Sequence, residues 1–349
     1  MALSPSTGWK YRKKLEITDT ANASADYQLR LKVFAGSGDD NVAEGIVYCD
    51  NKCENFPYDI RFGTTSDPGT ATQLAQWIES YDSTQATVWV KCPSDGSDTF
   101  YMFVGNSTAS LYSDGDATNV FFDDFEGTSI DTSKWQDNSG GLFSVSNSIL
   151  TMKNNSDDTT WRYLYHDLGA EQKVRLLCRS RSIDDGSWAS HEYLVTHEPL
   201  TSWSDRPINS AYLSIIYHTD KYLTTGVTDN DGNMTFARVQ PYTLNQWYRH
   251  FIKYPDSGYI YSDDYSTTYS SFTASGTFYN LRHVYLQTRP KSGQGYQETQ
   301  WDFVAIMKYT DPEPEWSSFG AWEEIARKQI ILQPSRFFIK RMREKYSRT

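Results

Sequence analysis

Apolar side chains recur at every second position through most of this chain. In GWKYRKKLEI, Trp9, Tyr11, Leu15 and Ile17 share one parity while Lys10, Arg12, Lys14 and Glu16 share the other, the alternation of a strand with one face buried. Only Lys13 breaks phase, and an edge position or a bulge would accommodate it. The same period sets Tyr27, Leu29, Leu31 and Val33 inward in YQLRLKV, with Gln28, Arg30 and Lys32 outward, and it continues through ATVWVKC and TFYMFVGN. Clusters such as AGSGDDN and TTSDPGT, whose side chains favour turns, lie between these runs. The pattern predicts a first β-sandwich over residues 1–116. Beyond the polar joint YSDGDATNV, FFDDFEGTSIDTSKW opens a second series, continued by KVRLLCRSR, AYLSIIYH, WYRHFIKY, RHVYLQTR and WDFVAIMKY. Their spacing is too irregular for a solenoid. A second sandwich is expected over residues 117–322, closing at TDPEPEWSSFG, where prolines stop strand pairing.

Residues 323–349 differ in kind. They hold 8 basic against 3 acidic side chains, a charge of +5 that leaves −16 on everything before them. EEIARKQIIL and RFFIKRMREKY read as two short helices broken by Pro334, with Phe338, Met342 and Tyr346 one turn apart. The expected fold is therefore all-β, two sandwiches in tandem with a short basic helical C-terminal tail. That tail is expected to dock, through Arg336, Phe338, Lys340, Arg341, Met342 and Arg343, onto another copy of the chain, another particle or surface protein, or the chain's own sandwiches.

Composition supports the strands and narrows the partners. The 25 Tyr, 17 Phe and 11 Trp suit pleated, half-buried surfaces. A net charge of −11 argues against nucleic acid as a partner. The opening MALSPSTGW lacks the charged start and apolar core of a secretory signal, and no run of about 18 apolar residues offers a membrane span. Cys92 and Cys178 fall in strand phase as inward fillers. Cys49 and Cys53 in YCDNKCENF suit a local disulfide or free thiols better than half a zinc site. The basic stripe at residues 10–14 reads as a solvent face, with a patch for sulfated or phosphorylated ligands as the alternative.

WKYRKKLEI, FPYDIRFGTTSD, QWIESYDSTQATVWVKCPS and TFYMFVGNSTAS resemble, in order and spacing, a family of jelly-roll domains of unknown function. Phe103 and Val104 depart from its usual tyrosines. The family commonly precedes a concanavalin A-like, laminin-G-type sandwich, and FFDDFEG…IDTSKW, LNQWYRHFIKY and WDFVAIMKYTDPEPEWSSFG resemble strands of that domain. The resemblance implies surface or extracellular modules for recognition, and it supplies no ligand. It also implies a structural calcium where first and last strands meet, which places Asp124 and Asp302 as candidate ligands; no other cofactor is expected.

Catalysis finds no motif. Laminarinase-type sandwiches carry E-x-D-x-x-E or E-x-D-x-E on one strand, because retaining hydrolysis needs two close carboxyl groups, and neither string occurs here. HEYLVTHE fails as a zinc-protease helix because position 195 is Val. His191 and His197 remain weak metal candidates on one strand face. In DDGSWASHEYLVTHEPLTSWSDRP, Trp188 and Trp203, with His191 and Asp205, are the candidates for stacking on and hydrogen-bonding a cell-surface glycan. The expectation drawn from all this is a non-catalytic recognition protein on a virion surface, lectin-like and without enzyme activity. A cell-surface adhesin fragment and a glycan-degrading enzyme are the alternatives.

Overall fold

The computed structural model describes residues 2–18, 26–93, 96–154, 160–185, 189–204, 206–217, 222–290 and 297–326. The tail residues Arg336, Phe338, Lys340, Arg341, Met342 and Arg343, and also Trp188 and Asp205, lie outside them. Among the described residues the fold is all-β, as the alternation predicts, apart from one helical turn, α1 (Gly115–Thr118).

The first sandwich has two four-stranded sheets. One runs, in spatial order, β23 (Trp316–Glu324), β1 (Tyr11–Ile17), β7 (Thr99–Val104) and β4 (Arg61–Gly63). The other runs β3 (Ile46–Tyr48), β2 (Gln28–Phe34), β6 (Gln85–Lys91) and β5 (Gln76–Tyr81). Leu15, Leu31, Val33, Phe62, Val88, Phe100 and Met102 fill the space between them. The second sandwich is larger. Its eight-stranded sheet runs β10 (Phe143–Ser146), β11 (Ile149–Lys153), β22 (Gln297–Lys308), β13 (Val174–Asp185), β18 (Tyr248–Lys253), β19 (Ser257–Ser262) and β20 (Thr268–Thr273), with β8 (Phe121–Asp123) paired to β22. The facing seven-stranded sheet runs β17 (Met234–Val239), β16 (Tyr222–Thr228), β15 (Ser210–Tyr217), β14 (Ala189–Thr196), β21 (Leu281–Pro290), β12 (Arg162–Gln172) and β9 (Gln136–Asp137).

One boundary and one side-chain placement differ from the sequence reading. Trp316–Glu324 does not close the second sandwich but returns to the first, where Leu15 opposes Phe319 and Tyr11 opposes Glu324. The stretch TDPEP is thus a crossover, and the second sandwich is an insertion between β7 and β23. Lys13 is neither at an edge nor solvated: β1 is paired on both sides, and Lys13 is buried, ion-paired to Asp40 and placed 5.3 Å from the ring centre of Trp322. Its neighbours are likewise matched, Lys10 to Glu54, Arg12 to Glu323 at 2.8 Å and Lys14 to Glu16. The basic stripe is consumed by local acids, which leaves no polyanion patch there.

The sandwiches meet across the outer face of the eight-stranded sheet. Trp77 of β5 and Trp89 of β6 pack on Phe122, Leu177, Phe303, Ala305 and Met307, and Trp77 meets Phe303 edge-on at 4.9 Å. The apolar run WDFVAIM follows from this arrangement. Trp301, Val304 and Ile306 face the second core while Phe303, Ala305 and Met307 face the first domain, so both sides of β22 are covered. Gln28, expected outward, is buried at the same junction, where Oε1 accepts from Lys308 N at 3.1 Å and from Arg175 at 3.2 Å. Glu79 completes it, accepting from Arg249 Nε at 2.7 Å, Trp89 Nε1 at 2.7 Å and Tyr265 Oη at 2.8 Å. Both charged side chains are sealed from water, with Arg249 4% and Glu79 0% exposed. Breaking one side of such a pair strands the other charge, so Glu79→Ala should cost about 3 kcal/mol or more. A urea midpoint within experimental error of wild type would show that the pair does not hold the domains.

The second core hides two histidines that tie its sheets together. His191 Nδ1 of β14 lies 2.9 Å from Thr299 Oγ1 of β22, and His250 Nδ1 of β18 lies 2.9 Å from Thr225 Oγ1 of β16. Complete burial pushes both down to about 3. The folded state refuses a proton that the unfolded state takes on below about 6.5, so folding is favoured above that value and weakened as pH falls toward 3. Each histidine contributes up to about 1.4 kcal/mol per pH unit across this window. Asp82 and Asp167 are held below the usual carboxylate range by hydrogen bonds, Asp167 chiefly from Arg282, and act mostly below pH 4; Asp123 and Asp124, raised by burial, act in the opposite sense. Urea midpoints should therefore climb between pH 4.5 and 6.5, and a flat or falling series would refute the buried neutral histidines.

Candidate functional site

Strand parity decides what the stretch HEYLVTHE presents. His191, Tyr193 and Val195 point between the sheets, and Glu192, Leu194 and Thr196 point to the outer face of the seven-stranded sheet. His191 is therefore a core residue, which corrects its assignment to glycan contact. His197, beyond the strand end, bonds through Nδ1 to the Asn280 carbonyl at 2.8 Å. The side chain that reaches the outer face is Glu192, which the search for histidine and carboxylate motifs passed over.

Pairing register assembles two rows across that face. Tyr163, Gln287, Glu192, Ser214, Thr224 and Arg238 are successive cross-strand partners on β12, β21, β14, β15, β16 and β17. Directly opposed residues share a face, so these six form one polar line. The next line is Tyr165, Tyr285, Leu194, Tyr212, Gly226 and Phe236 on the same six strands. It is mostly aromatic. Gly226 is required there, because a Cβ at that position would stand 2.5 Å from Tyr212 Oη and 2.8 Å from Phe236 Cβ. At about 4.8 Å per strand the two lines run roughly 24 Å side by side.

Hydrogen bonds hold the polar line in place. Glu192 is fully buried, and its carboxylate accepts from Ser214 Oγ at 3.1 Å and from Gln287 Nε2 at 2.7 Å. Gln287 Oε1 in turn accepts from Trp161 Nε1 at 3.0 Å, which fixes the amide's orientation. Trp161 stacks on Tyr163 with ring centres 4.1 Å apart, and Tyr163 meets Tyr285 at 5.9 Å. Burial pushes the Tyr285 phenol up to about 12 and raises Tyr165 as well, so both remain protonated donors. Thr224 is 1% exposed, and its hydroxyl has no partner among the described residues.

The segment linking β14 to β15 covers the middle of both lines. The Leu200 amide donates to Tyr285 Oη at 2.9 Å, and the Ser204 carbonyl accepts from Gln287 Nε2 at 2.9 Å. Trp203, half-buried, lies on this segment. Of the four residues expected to hold a glycan, it is the one described residue placed near the two lines. At the ends the face is open, with Trp161, Tyr163 and Tyr165 half-buried on one side and Phe236 and Met234 39% and 46% exposed on the other.

Asp124 and Asp302 are not brought together as a calcium pair. Asp302 lines a cleft of about 420 Å³ between the domains and bonds Arg179 Nη1 at 2.9 Å. Asp124 lines a different cleft with Asp116, Asp123, Glu126 and Lys134. Among the described residues no group of three or more His, Cys, Asp or Glu is arranged to hold a metal. Cys49 and Cys53 are free thiols, and the Cys53 thiol is pushed up first by its hydrogen bond with Cys49. Among the described residues no helix is long and apolar enough to cross a membrane.

Residues 57–138 match a domain of unknown function, DUF2341, to which the jelly-roll resemblance corresponds. No curated protein matches the chain. Among solved structures, the laminarinase from Rhodothermus marinus is 12% identical, with 57% of this chain and 98% of that one covered at a TM-score of 0.41. The endo-beta-1,3-glucanase from Pyrococcus furiosus is 12% identical over 58% and 95%, TM-score 0.42. The kappa-carrageenase from Zobellia galactanivorans is 10% identical over 55% and 94%, TM-score 0.36. These neighbours are glycoside hydrolases, and none is a virion component or an adhesin. The expectation of a non-catalytic virion protein without enzyme activity is set aside, since the neighbours named are glycan-degrading enzymes, and at these identities their likeness speaks to the fold alone. Its catalytic part rests on a missing linear motif, and its virion part on the family resemblance.

Proposed function

We propose that the chain is a carbohydrate-active protein that lays a glycan across the outer face of the seven-stranded sheet and acts on it through Glu192. The observation that carries this is the pairing of the two lines: a buried carboxylate that accepts from Ser214 and Gln287, beside a parallel line in which four of six residues are aromatic. Sugar rings present apolar faces and equatorial hydroxyls, so they need a stacking surface and a hydrogen-bonding surface in parallel. Tyr165, Tyr285, Tyr212 and Phe236 supply the first, and Gln287, Glu192, Ser214 and Thr224 the second.

The chemistry follows from the group at the centre. Hydrolysis of a glycosidic bond adds water to the anomeric carbon and delivers a proton to the leaving oxygen, and a carboxyl group held between Ser214 and Gln287 suits the second task. Gln287 and Ser214 orient the two oxygens of Glu192, and Trp161 orients Gln287. The segment carrying Leu200 and Ser204 must lift for a chain to reach the carboxyl, after which its return would hold the chain against the face. Trp203 rides on that segment.

Release of reducing ends from a panel of laminarin, agarose and carrageenan tests the reading. Glu192→Gln keeps the shape of the side chain and removes its proton, so turnover should fall about 100-fold or more while retention of the polymer persists. Equal turnover by the two proteins on a substrate that wild type cleaves would exclude Glu192 from the reaction.

A further inference from the structure

The polar line ends in a cation. Arg238 follows Thr224 in register on the edge strand β17 and is exposed. Its guanidinium carbon lies 4.0 Å from the ring centre of Tyr222 and 5.2 Å from that of Phe236, and it has no acidic partner among the described residues. This sets it apart from Arg12, Arg179, Arg249 and Arg282, each committed to a carboxylate. In a protein with net charge −11, a cation left over at the end of a hydrogen-bonding line has been spared neutralisation.

We infer that Arg238, with the Thr224 hydroxyl beside it that has no partner among the described residues, forms a subsite for an anionic substituent, a carboxylate or a sulfate ester, on the glycan held along this face. The inference rests on the outer face being the glycan site and goes beyond it by naming the sugar chemistry. A guanidinium lying over a ring keeps its in-plane N–H groups for hydrogen bonding, and that fork matches two oxygens of a carboxylate or sulfate together. Tyr222 and Phe236 restrict the side chain before the ligand arrives, which lowers the ordering cost of binding. Thr224 Oγ1, buried and without a partner among the described residues, gains a hydrogen bond from the hydroxyl of the same or the preceding sugar. The subsite is three strands from Glu192, about 14 Å at the usual strand spacing. The charged sugar therefore sits away from the carboxyl, and repulsion between the two acids is small.

Affinity electrophoresis of the full chain in gels containing laminarin, polygalacturonate or carrageenan tests this with neutral, carboxylated and sulfated polymers. Wild type should be retarded more strongly by one or both anionic polymers than by laminarin, and the polymer preferred identifies which anion is read. Arg238→Gln, at an exposed position, should weaken anionic retention about tenfold and leave laminarin retention unchanged. Thr224→Val should weaken retention on every polymer that binds. An anionic-to-neutral preference that survives Arg238→Gln overturns the subsite, as does wild-type retention by laminarin alone, and both leave the glycan face standing. Retention by none of the three overturns the subsite and the outer-face reading together.

Discussion

The burial of both faces of β13 and β22 is the constraint on which the molecule is built. One face of this central pair closes the core of the second sandwich, through Leu176, Cys178, Val304 and Ile306. The other is covered by Trp77 and Trp89 of the first sandwich, through Leu177, Phe303, Ala305 and Met307. A sheet covered on both sides has no face left for a ligand. The opposite sheet is the one that keeps an outer face, and the first domain serves as the wall against which that sheet's partner is fixed. The Glu79–Arg249 pair, buried within the same contact, adds direction to what apolar packing alone leaves unoriented.

Period-two alternation made the strands legible, and with them the fold class. It carried less information where a strand has two buried faces, since WDFVAIM reads the same whichever side is core. It also gave no hint that Trp316–Glu324 crosses back to β1, because a strand's own pattern says which side is apolar and nothing about which sheet receives it. Lys13 shows the same limit in reverse. Its position in the inward phase was visible, but the Asp40 carboxylate and the Trp322 ring that make this tolerable arrive from 27 residues away and from β23, beyond the inserted second domain. Similarly, a binding surface at the stripe of cations of residues 10–14, the alternative to a solvent face, stood open only while Glu54 and Glu323 were out of sight.

The candidate site was hidden for a related reason. Its polar line takes one residue from each of six strands, at positions 163, 287, 192, 214, 224 and 238, and no linear motif can contain them. Paired acids along one strand are a single way of building a glycan-processing face, and the missing string says nothing of the others. One signal was present. In HEYLVTHE the histidines and the glutamate have opposite parity, so a strand that buries His191 must turn Glu192 outward. Reading the segment for its histidines fixed attention on the side that faces the core.

Charge has a consistent explanation only when it is followed contact by contact. The chain is acidic as a whole, yet its cations fall into two groups: those that hold the fold, such as Arg249 at the domain junction and Lys13 beneath Trp322, and those that are left for something else. Long-range attraction cannot be the organising force for an anionic ligand here, since the net field opposes it and falls off over about 10 Å at ordinary salt. What remains effective is contact: a guanidinium restrained on Tyr222, within hydrogen-bonding range of whatever lies along the row that begins at Tyr163. Recognition built this way depends on geometry first and on charge second. A polyanion lacking the stacking faces that the aromatic line requires should therefore gain little from Arg238.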